Sequence, residues 1–157
     1  MLPIGSLAPH PGWGDPRPSR LTADEQRTLV SLWAIARSPL ILGANLTQLD
    51  EATRALITNR AVIQLDQTAT DSRPVKDLPA GFENARVWLA TGPRGQRYLG
   101  VFNLDDKPST LAASWAKLGL ATGTRVAHDL WTDKALPAAD GLSVTLPAHG
   151  SALYEVK

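Results

Sequence analysis

The chain has 157 residues, with 16 Lys and Arg against 15 Asp and Glu, a net charge of +1 that gives no reason to expect a nucleic acid or membrane surface as partner. It contains no cysteine, which excludes disulfides and thiolate metal sites, and no apolar run reaches the roughly 20 residues of a membrane-spanning helix. Met1–Gly5 is apolar and extended, as at the end of a strand. Residues 6–19, SLAPHPGWGDPRPS, are rich in Pro and Gly and predict a long irregular loop, a kind of segment that is often functional. Thr22-Ala23-Asp24-Glu25 reads as a capping box, with Thr22 at the N-cap and Glu25 three residues on. The helix that follows presents Leu29, Leu32, Trp33 and Ala36 on one face, and Val30, Ala34 and Ile35 make its second half apolar nearly all round. Pro39 stops it. Leu40-Ile41-Leu42 then predicts a short strand covered on both faces.

Asp50 is placed to cap a second helix over residues 51–58, with Asn59 as its C-cap, and residues 61–65 form a short apolar segment. The small polar run QTATDSR at residues 67–73 reads as a boundary, because the period changes from helical to alternating beyond it. Residues 86–90 and 97–104 flank Gly92-Pro93-Arg94-Gly95 as a hairpin. Further strands are predicted over 110–113, 124–131, 142–146 and 151–156, with one helical turn at 115–119. Such a series of short strands and turns predicts an antiparallel sandwich. The expected organisation is α+β, with residues 1–72 in one unit and 73–157 in a sandwich able to fold alone. Trp88 and Trp131 are expected in the core, with Trp115 open between core and surface.

The carboxylates nearest the head of the chain are Asp15, Asp24 and Glu25. Asp24 and Glu25 already have a structural task in the first helical turn, where the helix dipole favours negative charge. Asp15 and Trp13 share the Pro/Gly-rich loop. Asn45 follows the predicted strand and either donates a hydrogen bond to a ligand or shapes a turn; Asn45-Leu46-Thr47 is also a glycosylation sequon. His10, His128 and His149 lack metal-ligand spacing, so no metal is expected. Gly92-Pro93-Arg94-Gly95 lacks the Lys-Ser/Thr of a phosphate loop, and His128 beside Asp129 comes without a nucleophile elbow.

Met1-Leu2-Pro3-Ile4-Gly5, SRLTADEQRTLVSLWAIARSPLILGANLTQLD, Leu56-Ile57-Thr58-Asn59 and Val62-Ile63-Gln64-Leu65-Asp66-Gln67 together resemble the C-terminal half of family 27 glycoside hydrolases, the α-galactosidases and α-N-acetylgalactosaminidases. Val101-Phe102-Asn103-Leu104, His128-Asp129-Leu130-Trp131 and Leu146-Pro147-Ala148-His149-Gly150 resemble the same family's C-terminal β-domain. The resemblance implies the last βα units of a (β/α)8 barrel, with Met1–Ile4 as strand seven and Leu40–Leu42 as strand eight, followed by an antiparallel β-sandwich. It implies a carbohydrate substrate, an α-galactoside, hydrolysed with retention and without any cofactor. A retaining mechanism sets two carboxyl groups about 5–5.5 Å apart. In the family both are aspartates on earlier barrel strands, and neither matches a residue of this chain. The chain alone is therefore expected to be inactive in that reaction. Met1 matches a methionine lining the family's sugar pocket, and Trp13, Asp15 and Asn45 are the other candidates for contact with sugar. A carbohydrate-binding or structural module, or a small glycosidase using Asp15, Asp24 or Glu25, are the alternatives. No signal peptide is expected, and a parent protein would be bacterial, cytoplasmic or secreted. With most barrel strands absent, a homo-oligomer is expected.

Overall fold

The computed structural model describes every residue except His10 and Trp13. The chain opens with a small antiparallel pair, β1 (Ser6–Leu7) and β2 (Arg17–Pro18), so the segment read as wholly irregular is pinned at both ends. Helix α1 (Ala23–Ile35) begins as its capping box dictates. The Thr22 side chain accepts from the Glu25 amide, and the Thr22 amide donates to the Glu25 carboxylate at 2.7 Å. A 3-10 turn (Leu46–Gln48) leads to α2 (Glu51–Ile57), capped by Asp50, whose carboxylate accepts from the Thr53 amide at 2.6 Å. Asn59 does not close α2 at its C-terminus, which Thr58 does. It is the N-cap of α3 (Arg60–Thr68), and its side chain accepts from the Val62 amide. The apolar segment at 61–65 lies within that helix, which buries Val62 and Leu65.

The rest of the chain is β. A six-stranded antiparallel sheet runs in the order β3 (Thr70–Pro74), β4 (Ala85–Thr91), β5 (Arg97–Asn103), β10 (Ser151–Val156), β7 (Ala127–Asp129), β8 (Lys134–Ala135). A second sheet pairs β6 (Ser109–Ser114) with β9 (Gly141–Leu146). A 3-10 turn at Trp115–Leu118 ends in Gly119, whose φ of 83° is the left-handed conformation a glycine adopts without strain. The short runs between turn signals predicted β4, β5, β6, β9 and β10. It missed β3, which is polar and half-exposed, and β8, which has only two residues. The predicted strand at 124–131 shortens to Ala127–Asp129.

Three layers result. Val87, Leu89, Leu99, Val101, Leu111, Trp115 and Tyr154 fill the space between the two sheets. The other face of the six-stranded sheet turns Tyr98, Phe102 and Leu153 toward the helices, where they meet Val30, Ala34, Ile35, Val62 and Leu65. The strand buried on both faces is therefore β5 and not Leu40–Leu42, whose Ile41 is 59% exposed. Gly100 makes the helix contact possible. A Cβ there would stand 2.9 Å from the Phe102 ring and 3.2 Å from Ile35 Cδ1.

The most deeply buried stripe of α1 is Val30, Ser31, Ala34 and Ile35, whereas Leu29, Leu32, Trp33 and Ala36 are half-buried. Periodicity did not separate the two stripes because the helix is apolar nearly all round beyond Leu29. Polar contacts fix how α1 sits. Trp131 Nε1 donates to the buried Ser31 hydroxyl at 2.9 Å, and Thr28 donates to the His149 carbonyl at 2.7 Å. Asn59 Nδ2 donates to the Leu130 carbonyl at 2.9 Å, tying the turn before α3 to the sandwich. Among the tryptophans of the described residues, Trp115 is the fully buried one, donating to the Ala139 carbonyl at 2.6 Å. Trp88 and Trp131 are half-buried on the helix side.

Candidate functional site

Leu2 and Leu42 form a parallel bridge. The Leu2 amide donates to the Ile41 carbonyl at 2.7 Å, and the Gly43 amide donates to the Leu2 carbonyl at 2.9 Å. One residue bonding to both neighbours of its partner is the signature of a parallel ladder. Parallel strands joined through a helix, here α1, make a βα unit, and in barrels of such units the loops at the strand C-termini surround the active site. In this chain those loops are residues 5–20 and 43–49. They are tied together by the Asn45 amide donating to the Ser6 carbonyl at 2.6 Å and by the Leu7–Ala44 bridge. Gly43 stands where a Cβ would lie 3.1 Å from the Leu2 carbonyl oxygen, so the close strand approach itself calls for glycine.

Met1 is 70% exposed at this rim and Asp15 is exposed in the loop between β1 and β2, while Trp13 lies outside the described residues. The Asn45 side chain is spent on its own turn, accepting from the Thr47 amide at 3.1 Å and the Thr47 hydroxyl at 2.7 Å. Asp24 lies 3.9 Å from Arg27 on the same helix. Glu25 is held below the usual carboxylate range by its hydrogen bonds to Thr22, so at neutral pH it is a carboxylate and not a proton donor. The cavities lined by Glu25, Asp50 and Asp66 carry one carboxylate each, which is not the paired arrangement of a retaining glycosidase. His128 and His149 face Asp133 and Asp106 at 3.3 and 2.9 Å, in surface pairs. Among the described residues no group of three or more metal-ligating side chains occurs, and no helix is long and apolar enough to cross a membrane.

Sequence reasoning passed over an apolar cavity of about 330 Å³ between the strand pair and the three helices. Leu2, Leu40, Leu42, Leu56, Ile57 and Ile63 line it. Asp66 of α3 also opens onto it. Desolvation raises the Asp66 carboxyl above its ordinary value, opposed by the nearby Arg37. The signal was faint in the sequence because a single Asp near a helix end reads as a solvated position.

A βα remnant with an antiparallel sandwich packed on its helices is the C-terminal architecture of a barrel-type glycoside hydrolase. Residues 9–68 match the family model described as α-galactosidase A, and residues 82–156 match the α-galactosidase C-terminal β-sandwich domain. The α-galactosidase of Cyamopsis tetragonoloba is 31% identical over 154 residues, an alignment covering 91% of this chain and 36% of that protein. The crystal structure of a family 27 β-L-arabinopyranosidase from Geobacillus stearothermophilus superposes with a TM-score of 0.89 at 33% identity, covering 100% of this chain and 36% of that one. α-Galactosidase I of Mortierella vinacea, at 22% identity and a TM-score of 0.77 over 87% of this chain and 36% of its own, shares the fold. The chain belongs to glycoside hydrolase family 27, as an α-galactosidase-like C-terminal part. It spans about a third of the length of the relatives it matches.

Proposed function

We propose that this chain forms the C-terminal third of a retaining glycosidase acting on α-galactosides. In this reading residues 1–72 supply strands seven and eight of the barrel with their helices, and residues 73–157 the supporting sandwich. Met1, Asp15, Asn45 and Trp13 belong to the rim of the sugar pocket, and both catalytic carboxylates come from other strands of the barrel. The observation that carries the reading is the parallel bridge between Leu2 and Leu42, with α1 as its crossover and rim loops on one side. The test is turnover of an aryl α-galactoside, run beside an aryl β-L-arabinopyranoside because the relatives' names divide between these sugars. The chain alone is expected to turn over neither, and adding a polypeptide that contains the earlier barrel strands is expected to confer activity. Turnover by the chain alone that is abolished by Asp15→Asn or Glu25→Gln would overturn the proposal.

A second reading concerns association, and the apolar cavity beside the exposed Ile41 favours it. Most of α1 is covered by the chain's own sheet, so the drive to associate comes from the strand pair, which has open edges, and from the cavity beside it. Another copy covering this face gives a homo-oligomer. Light scattering at micromolar concentration should then show a mass above 16.8 kDa, and Ile41→Asp should return it to the monomer. A monomer at every concentration would exclude it.

A further inference from the structure

Away from the rim, four cationic side chains line one open cavity of about 540 Å³: Arg94, Arg97, Arg125 and Lys157. They are distant in sequence, and sheet register collects them. Arg94 lies in the β4–β5 turn, Arg97 opens β5 opposite Val156, and Lys157 exchanges two backbone hydrogen bonds with Val126, beside Arg125, at 3.0 and 3.1 Å. One acidic side chain, Glu155, lines the same cavity, so the side chains of the lining carry four positive charges and one negative, an excess that remains positive when the Lys157 α-carboxylate is added.

The guanidinium groups are oriented mainly by neutral acceptors. Arg97 Nη1 donates to the Thr91 hydroxyl at 2.6 Å, and Arg125 Nε donates to the Ala121 carbonyl at 3.3 Å. Arg97 Nε is buried without an acceptor. The charged neighbours are two. Glu155 is engaged by Lys157 Nζ at 3.0 Å, and Asp71, which feels the Arg97 charge, is paired with Arg73. Two arginines held by neutral acceptors, Arg97 and Arg125, stand beside the exposed Arg94 at one concave rim and present the fork-shaped donors that oxyanions match.

We propose that this rim binds a doubly charged tetrahedral oxyanion, either free sulfate or phosphate or a phosphate monoester on a sugar. A dianion accounts for the excess of charge better than a single carboxylate does. The α-carboxylate of Lys157 shares the rim, so the measurement is made on two forms, the chain as it stands and the chain extended by Gly-Ser beyond Lys157.

Calorimetric titrations at about pH 8 with sodium sulfate, sodium phosphate and galactose 6-phosphate, at ionic strength held constant with sodium chloride, test the site. Saturable one-site binding is expected for the dianions, at least as tight in the extended form. Arg94→Gln and Arg125→Gln should each weaken binding about tenfold, the loss of one charge-assisted hydrogen bond, while circular dichroism and melting temperature stay as in the parent. Tighter binding of galactose 6-phosphate than of inorganic phosphate assigns the site to an ester, and equal or weaker binding assigns it to the free ion. A response that does not saturate, that neutral galactose reproduces, or that survives both substitutions overturns the proposal.

Discussion

Cutting the chain at Arg73 removes the helices, together with the first three residues of β3, from the six-stranded sheet, and the structure puts a magnitude on the loss of the helices. In the intact chain Tyr98, Phe102 and Leu153 are 3, 2 and 0% exposed, and their cover comes from α1 and α3. Full burial of one such side chain stabilises by roughly 1.5–3 kcal/mol, so uncovering three removes about 5–9 kcal/mol, an upper estimate because unfolded chains are partly collapsed. A typical domain has only about 5–15 kcal/mol in total. With a urea slope of about 2 kcal/mol/M, the smaller loss already moves the midpoint down by roughly 2.5 M. Residues 73–157, expected from sequence to fold alone, should therefore show no cooperative monomeric transition in urea followed by far-ultraviolet circular dichroism, or should sediment as larger species. The full chain should unfold in one transition, and within it Leu153→Ala should cost about 3–5 kcal/mol. A monomeric fragment unfolding within roughly 0.5 M urea of the full chain would refute the reasoning, since it would mean that the helix layer contributes almost nothing.

Asp66 has a raised native pKa, so between its unfolded and folded values the native state holds more protons and stability falls as pH rises. Asp66→Asn should therefore melt higher than the parent at pH 7, with the gap closing below about pH 4; an unchanged or lower melting point at pH 7 would contradict this. Burial, aided by Asp129 opposite it in the β7–β10 pairing, pushes the Tyr154 hydroxyl up to about 12. Its contribution to stability is complete below the unfolded value near pH 10 and lost as pH rises toward 12, so tyrosinate absorbance that disappears in Tyr154→Phe should emerge only near the upper value. Trp131→Phe removes the donor to Ser31 and should cost about 1 kcal/mol in urea unfolding, and a neutral result would mean that water replaces it freely.

The functional rim shows how far residues alone reach. The chain order of its segments and the loops that flank them were legible, whereas Leu40–Leu42 contributes a single bridge at Leu42 and no strand covered on both faces. The fate of Asn45 was left between two alternatives, and only coordinates show its side chain turned back on Thr47. The basic rim was not legible at all, because Arg94, Arg97, Arg125 and Lys157 follow no local pattern and meet only through strand pairing.

By itself the sequence determined the local elements whose causes are local. The capping box at Thr22 and Glu25 starts α1, Asp50 starts α2, alternation marks β4, and Gly92–Gly95 turns the chain between β4 and β5. Tertiary structure decided what local energy leaves degenerate. Helix α1 is apolar nearly all round, so the sheet chose its inner stripe, placing Ile35 over Gly100 and Ser31 under Trp131. Leu40-Ile41-Leu42 and β5 are both continuous apolar runs. Only β5 acquired a layer on each side, because burial depends on which neighbours the fold brings to a segment and not on its composition.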